Sequence, residues 1–295
     1  MEKNERSRSS TLIALVVTVL LGAAVSWAGS DNGALVGAIP VFALCGLLAF
    51  AINWLVFIPS SLAKTEHFYD LTGSITYLTV IGVALLFTQG LDSRSKLVAF
   101  MVAIWALRLG AFLFFRIRND GKDDRFDEIK VKPLRFLFAW TVQGLWVLFT
   151  AACALAIITS NVKTPIGVLG VVGIVIWLLG FSIEVLADAQ KRAFRRKPEN
   201  DGKFIDVGLW SWSRHPNYFG EIVLWTGVAI IALPVLAGWQ WVTLISPVFV
   251  FLLLTRLSGI PLLKKKAQAR WGDDPAYQAY LKNTSELLPL PPRKH

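Results

Sequence analysis

Charge is scarce in this sequence: only 17% of its 295 residues are charged, against 55% hydrophobic, and the mean hydropathy is +0.55. A soluble domain of that size cannot hide so much apolar surface in one core, so lipid must cover part of it. Cysteine is nearly absent. Cys45 and Cys153 both fall inside apolar stretches, which leaves no disulfide framework and reads as two small buried side chains. Of the three histidines, His67 and His215 are isolated, and neither H-E-x-x-H nor C-x-x-C spacing occurs, so nothing here supports metal chemistry. The chain also lacks G-x-G-x-x-G and G-x-x-x-x-G-K-[ST], which means that any nucleotide must be held by side chains and helix ends. There is no internal repeat, no low-complexity linker and no polar segment long enough to fold alone. Residues 1–295 therefore read as a single integral membrane domain with cytoplasmic loops and a C-terminal tail.

What the sequence does have is long apolar runs. About 20 helical residues cross a hydrocarbon core of about 30 Å. Runs of that order occur at roughly 12–28, 34–58, 71–89, 96–115, 133–158, 163–186, 218–233 and 236–254. The expected fold is all-α, a polytopic transmembrane helical bundle of seven or eight spans. The uncertain division is the last, where Pro234 and Gly238 mark either a turn between two spans or a break in one helix. With eight spans, nearly all Lys and Arg face one side: Lys3, Arg6, Arg8, Lys64, the segments 116–135 and 191–214, and the tail from Arg256. The other side keeps little beyond Arg94, Lys96 and Lys163. Positive charge marks the cytoplasmic face, which puts both termini there. The net charge of +10 then reads as orientation and attraction to anionic lipid rather than nucleic-acid binding.

Polar residues inside spans or at their ends are costly without a partner, so they mark candidate sites. Four clusters stand out. In Lys64-Thr-Glu-His-Phe-Tyr-Asp70, Glu66 and Tyr69 suit proton or hydrogen-bond donation to a carbonyl, provided that burial raises the carboxyl pKa. Asp70 also fits as the N-cap of the next span, and His67 is a weak candidate. The second cluster is Trp105 to Arg108 with Arg116 and Arg118. There Arg108, deep in an apolar run, needs Asp70, Glu66, a helix end or a phosphate as partner. In the third, Glu184, Asp188, Lys191 and Arg195 recur at helical spacing, beside Arg192. This face suits either hydrogen bonds to a ribose and phosphates or an intrahelical salt-bridge ladder. The fourth is Trp210-Ser-Trp-Ser-Arg-His-Pro-Asn-Tyr-Phe-Gly-Glu221. Pro216 fits an early helix position and Gly220 permits close approach, while Arg214, His215, Asn217, Tyr218 and Glu221 gather more polar types than a cap requires.

With these residues in view, the chain resembles the steroid 5-alpha-reductase-like membrane family, especially its bacterial branch. The resemblance lies in Ser213-Arg-His-Pro-Asn-Tyr-Phe-Gly-Glu221, Phe68-Tyr-Asp-Leu-Thr-Gly73, Glu184 to Arg195, and Tyr277 to Pro289, and it covers about 60–290. It implies an integral protein of a bacterial inner membrane acting in steroid or lipid metabolism. NADPH would sit in a cavity open to the cytosol, with a lipophilic enone between the helices. Asn217, Tyr218, Glu221, Glu184, Asp188, Arg192, Arg195 and, in the tail, Arg256 would contact the cofactor, and Glu66 with Tyr69 would serve the substrate carbonyl. Two departures weigh against a steroid: Thr65 replaces an amide beside the acid, and Trp105 aligns with a carbonyl-binding tyrosine. Tyr69 or Tyr77 would have to compensate. The Arg-His-Pro-x-Tyr-x-Gly core also resembles membrane methyltransferases that use S-adenosylmethionine, and a non-catalytic lipid-binding protein is the third class.

Overall fold

The computed structural model describes residues 2–120 and 126–292, with the side chains of 2–7 and 115–120 outside that description. Arg116 and Arg118 are among the latter. Eight helices among the described residues are long and apolar enough to cross a membrane: Arg8–Gly29, Val41–Leu62, Tyr69–Phe87, Ser93–Phe114, Pro133–Thr159, Val168–Arg195, Pro216–Val235 and Gly238–Trp271. The chain is an all-α polytopic membrane bundle at the higher of the two expected counts. Helices prevail because hydrocarbon offers no partner to backbone polar groups. Hydroxyls are satisfied the same way: Thr72, Thr76 and Thr226 each donate to the carbonyl four residues back, at 2.6, 2.7 and 2.8 Å.

Two compact units form, Met1–Gly167 with Ala232–Ser246, and Val168–Ile231 with Pro247–His295. The first contains α1 (Glu2–Gly29), α2 (Val41–Leu62), α3 (Tyr69–Phe87), α4 (Ser93–Asp120) and α5 (Pro133–Thr159). Helix α5 is its core, with 89% of its apolar window buried and α1 to α4 all packed on it. Ala151, Ala152, Cys153, Ala154 and Ala156 are fully buried, because small side chains let neighbouring helices approach closely. Pro133 opens this helix, where a fixed φ and a missing N–H cost nothing.

Three expected boundaries move. The second span starts at Val41, not 34, because β1 (Leu35–Val36) and β2 (Ile39–Pro40) form a hairpin around Gly37 at φ +60°. Apolar composition alone does not distinguish so short a strand from helix. Helix α3 starts at Tyr69 with Phe68 at its N-cap, so Asp70 is not the cap; its charge instead complements the first turn. The sixth span starts at Val168, not 163. The connector before it is held by the buried Arg94, which donates to Thr164 Oγ1 at 3.1 Å and Pro165 O at 2.7 Å.

The second unit contains α6 (Val168–Arg195), most of α7 (Pro216–Ala232) and of α8 (Ile245–Leu252), α9 (Gly259–Trp271) and α10 (Pro275–Asn283). Helices α6 and α7 meet through two glycine pairs. A Cβ at Gly227 would lie 2.6 Å from Gly173 O, and one at Gly220 would lie 2.6 Å from Gly180 O. Pro234, in a short 3-10 turn, and Gly238, at φ +53°, mark a turn between two spans. After α8 the chain widens into a π turn, Leu253–Leu257, and leaves helical angles at Ser258 before α9 begins. Such turns often occur at functional sites, and Arg256 lies within this one.

Candidate functional site

In the second unit, α6 and α7 bring the third and fourth polar clusters together. Pro216 starts α7, which places Asn217 in its first turn. From there Asn217 Nδ2 donates to Asp188 Oδ1 at 3.3 Å, joining residues 29 apart in sequence. The Gly180–Gly220 approach makes this reach possible, and a Cβ at Gly220 would also lie 2.7 Å from the backbone nitrogen of Glu184. Glu184, Asp188 and Glu221 are buried, whereas Arg192 and Arg256 are exposed. Tyr218 stacks on His215, ring centres 5.7 Å apart and planes 12° from parallel.

Beside this cluster, within the same unit, lies a cavity of about 520 Å³ whose lining is strongly cationic. Helix α6 contributes Lys191 and Arg195, the following segments Lys203 and Arg214, and α9 Lys264, Lys266 and Arg270; Asp201 and Glu286 are the acids. Lys191 Nζ sits 4.4 Å from the centre of the Trp210 ring, a cation–π contact that holds the ammonium in place. The opposite character comes from an aromatic wall: Phe204 packs 5.1 Å from Tyr277, 5.3 Å from Tyr280 and 5.9 Å from Trp271. Hydrogen bonds fix that wall. Trp210 Nε1 donates to Ala187 O at 2.9 Å, Tyr280 Oη to Trp210 O at 2.7 Å, and Trp271 Nε1 to Gly202 O at 2.6 Å. Burial pushes the phenols of Tyr277 and Tyr280 up, so both stay protonated.

His215 lines the cavity as a neutral imidazole. Burial, then the positive charges of Lys191, Arg214 and Lys264, push its pKa down from 6.5 to about 3. The unfolded chain takes up this proton near 6.5 and the folded one does not. The stability gained is therefore complete above 6.5 and lost as pH falls from there toward 3. The slope approaches about 1.4 kcal/mol per pH unit. Thermal unfolding of His215→Gln across pH 7 to about 4 is expected to show a shallower acid loss than wild type, and equal slopes would refute this assignment.

The first unit holds the expected substrate-side groups. Glu66 is 2% exposed, and its Oε2 accepts from Lys130 Nζ at 2.8 Å. This bond, ahead of Asp127 at 3.2 Å, holds the Lys130 ammonium above its ordinary pKa. Burial and, as one option, Arg108 were expected to act on Glu66, so the Lys130 ammonium is an addition to the sequence reading. Tyr69 donates to Ala139 O at 3.0 Å and packs on Trp140. The ring of Tyr77 meets Trp105 edge-on at 5.1 Å, both buried. Arg108 lies 5.8 Å over Phe112, and His67 Nδ1 is 2.6 Å from Thr65 Oγ1 on the surface.

Of the eight residues expected to touch a cofactor, Arg195 lines the cavity, Asp188 and Asn217 bond to each other, and Tyr218 stacks on a lining residue. The sequence reading expected the tail from Arg256 to contribute but named no residue of α9. Its lining positions, 263–264, 266–267 and 270–271, recur every three to four residues, a helical face that the basic run had concealed. It also missed Lys130, 64 residues from Glu66.

Comparisons with known proteins bear on these residues. A family model described as "Protein of unknown function (DUF1295)" matches residues 56–284. The 3-oxo-5-alpha-steroid 4-dehydrogenase 1 of Rattus norvegicus is 30% identical over 118 residues, 40% of each chain. That of Bos taurus is 33% identical over 69 residues, 23% of this chain and 26% of its own length. The chain thus spans less than half the length of these curated relatives. No solved structure matches it. The family match takes in Glu66, Lys130, the α6–α7 cluster and most of the cavity lining, and by it the chain belongs to the DUF1295 family.

Proposed function

We propose that this protein reduces the carbon–carbon double bond of a lipophilic enone with NADPH, a 3-oxo-delta-4 steroid being one such substrate, and that both termini face the cytoplasm. The observation that carries the cofactor reading is the cavity, where seven cationic side chains and a fixed aromatic wall meet beside the Asp188–Asn217 pair. The residues suit NADPH by chemistry. Guanidinium and ammonium groups suit phosphate oxygens, aromatic faces suit adenine, and Asp188 and Asn217 offer an acceptor and a donor to ribose or carboxamide. Its size is in the range of small-molecule pockets. Neutral His215 adds one donor and one acceptor without further charge. The curated relatives are named as acting on 3-oxo-5-alpha-steroids, which supports the substrate class.

When bound, NADPH supplies a hydride to the carbon beta to the ketone. The chain's part is to hold it and to meet the charge that develops on the carbonyl oxygen. The Glu66–Lys130 pair is proposed to supply the proton that quenches the enolate. The Lys130 ammonium, which Asp127 also steadies, passes a proton to the Glu66 carboxylate as Glu66 gives one to the substrate, and the neutral amine left behind is reprotonated from solvent. Glu66→Gln is expected to lower kcat for enone reduction by about a hundredfold or more while leaving the NADPH Kd within about twofold. Unchanged turnover would remove Glu66 from this role.

A further inference from the structure

We propose that Glu286, on the C-terminal tail, is the residue that sets which anions the cavity accepts, by standing in for a phosphate on Arg214 and Lys264. This rests on the reading of the cavity as a phosphate site. The tail is registered by hydrogen bonds to its main-chain carbonyls on both sides of Glu286: Arg214 N donates to Ser285 O at 2.8 Å and the Ser213 hydroxyl to Leu287 O at 2.8 Å. Leu290 N donates to Trp212 O at 3.1 Å, which extends the pairing. The chain thus carries a carboxylate into a predominantly cationic lining. Its Oε1 lies 3.4 Å from Arg214 Nη2 and 3.6 Å from Lys264 Nζ, distances too long for strong hydrogen bonds. Arg214 Nε is buried and has no hydrogen-bond partner among the described residues, so the guanidinium retains unused donor capacity.

A half-exposed carboxylate held this loosely is cheap to displace. Entry of a phosphate is then an exchange. A ligand with several phosphate charges replaces Glu286 on both cations and gains shorter, charge-assisted bonds, whereas a singly charged anion gains too little to overcome its repulsion. The tail acts as a threshold on charge, favouring polyphosphorylated ligands over the monoanions that abound in a cell.

Equilibrium titration of the full-length, detergent-purified protein tests this, with inorganic pyrophosphate and NADPH as probes. Glu286→Gln and Glu286→Ala are expected to tighten pyrophosphate binding about threefold to tenfold, and Glu286→Asp to behave as wild type. NADPH binding tightens in parallel if the cofactor reading is right. Tighter pyrophosphate binding without any NADPH binding would uphold the role of Glu286 and sink the NADPH assignment. Pyrophosphate affinity that is unchanged or weakened in the neutral variants, or pyrophosphate that binds to none of the proteins, would overturn the role of Glu286. The aspartate variant keeps the charge, so tightening there too would point to altered packing and also count against it.

Discussion

Gly220→Val is expected to destabilise the protein by about 3 kcal/mol or more, and to leave little folded second unit in detergent. The reason is that the added side chain has only backbone to displace. Its Cβ would sit 2.6 Å from Gly180 O, 2.7 Å from Glu184 N and 3.1 Å from Glu184 Cα. Real Cβ atoms do not approach that closely, and a helix backbone cannot swing aside as a side chain can, so α6 and α7 must separate. Gly82→Ala is the matched control. A Cβ there meets nothing within 4 Å, and alanine is the better helix former, so stability is expected to hold or to rise by up to about 1 kcal/mol. Thermal unfolding followed by circular dichroism separates the two, and a Gly220→Val protein as stable as wild type would refute the packing described for α6 and α7. The glycine of the Pro-Asn-Tyr-Phe-Gly-Glu segment thus has a packing purpose that serves the site: it brings Asn217 within reach of Asp188.

Arg195→Gln is expected to weaken NADPH binding by about tenfold to a hundredfold, the range for losing hydrogen bonds to a charged group, with no comparable loss of stability. Arg195 is exposed at the end of α6 and lines the cavity, so its removal leaves no hole in the core. Raising salt should shrink the gap between variant and wild type, because screening weakens the same interaction in both. An unchanged Kd would exclude Arg195 from the phosphate contacts and move them to Lys191, Arg214 and α9.

Much of this architecture could be read from the chain, and the misses have physical causes. The fifth span was found within a residue because Pro133 marks its start and a near-continuous apolar run follows. The second was misplaced because Leu35 to Pro40 is as apolar as the helix it precedes, and two residues of strand leave no period to detect. In the α6–α7 cluster, the residue types and the i, i+4 spacing pointed to one face. The bond between Asp188 and Asn217 could not be seen, since it depends on how closely two helices cross. Lys130 was passed over for the same reason: nothing local in a polar, basic segment says that one ammonium turns inward to a carboxylate 64 residues away. The cavity was the least legible feature. Its walls come from α6, the 200–215 segment, α9, α10 and the tail, and each taken alone reads as ordinary basic sequence beside a membrane.

The most direct test is equilibrium binding of NADPH, NADH and S-adenosylmethionine to the detergent-purified protein. The expected result is saturable NADPH binding, weaker NADH binding and none of S-adenosylmethionine. Binding of S-adenosylmethionine without NADPH would contradict the reductase assignment and turn the search to methyl acceptors.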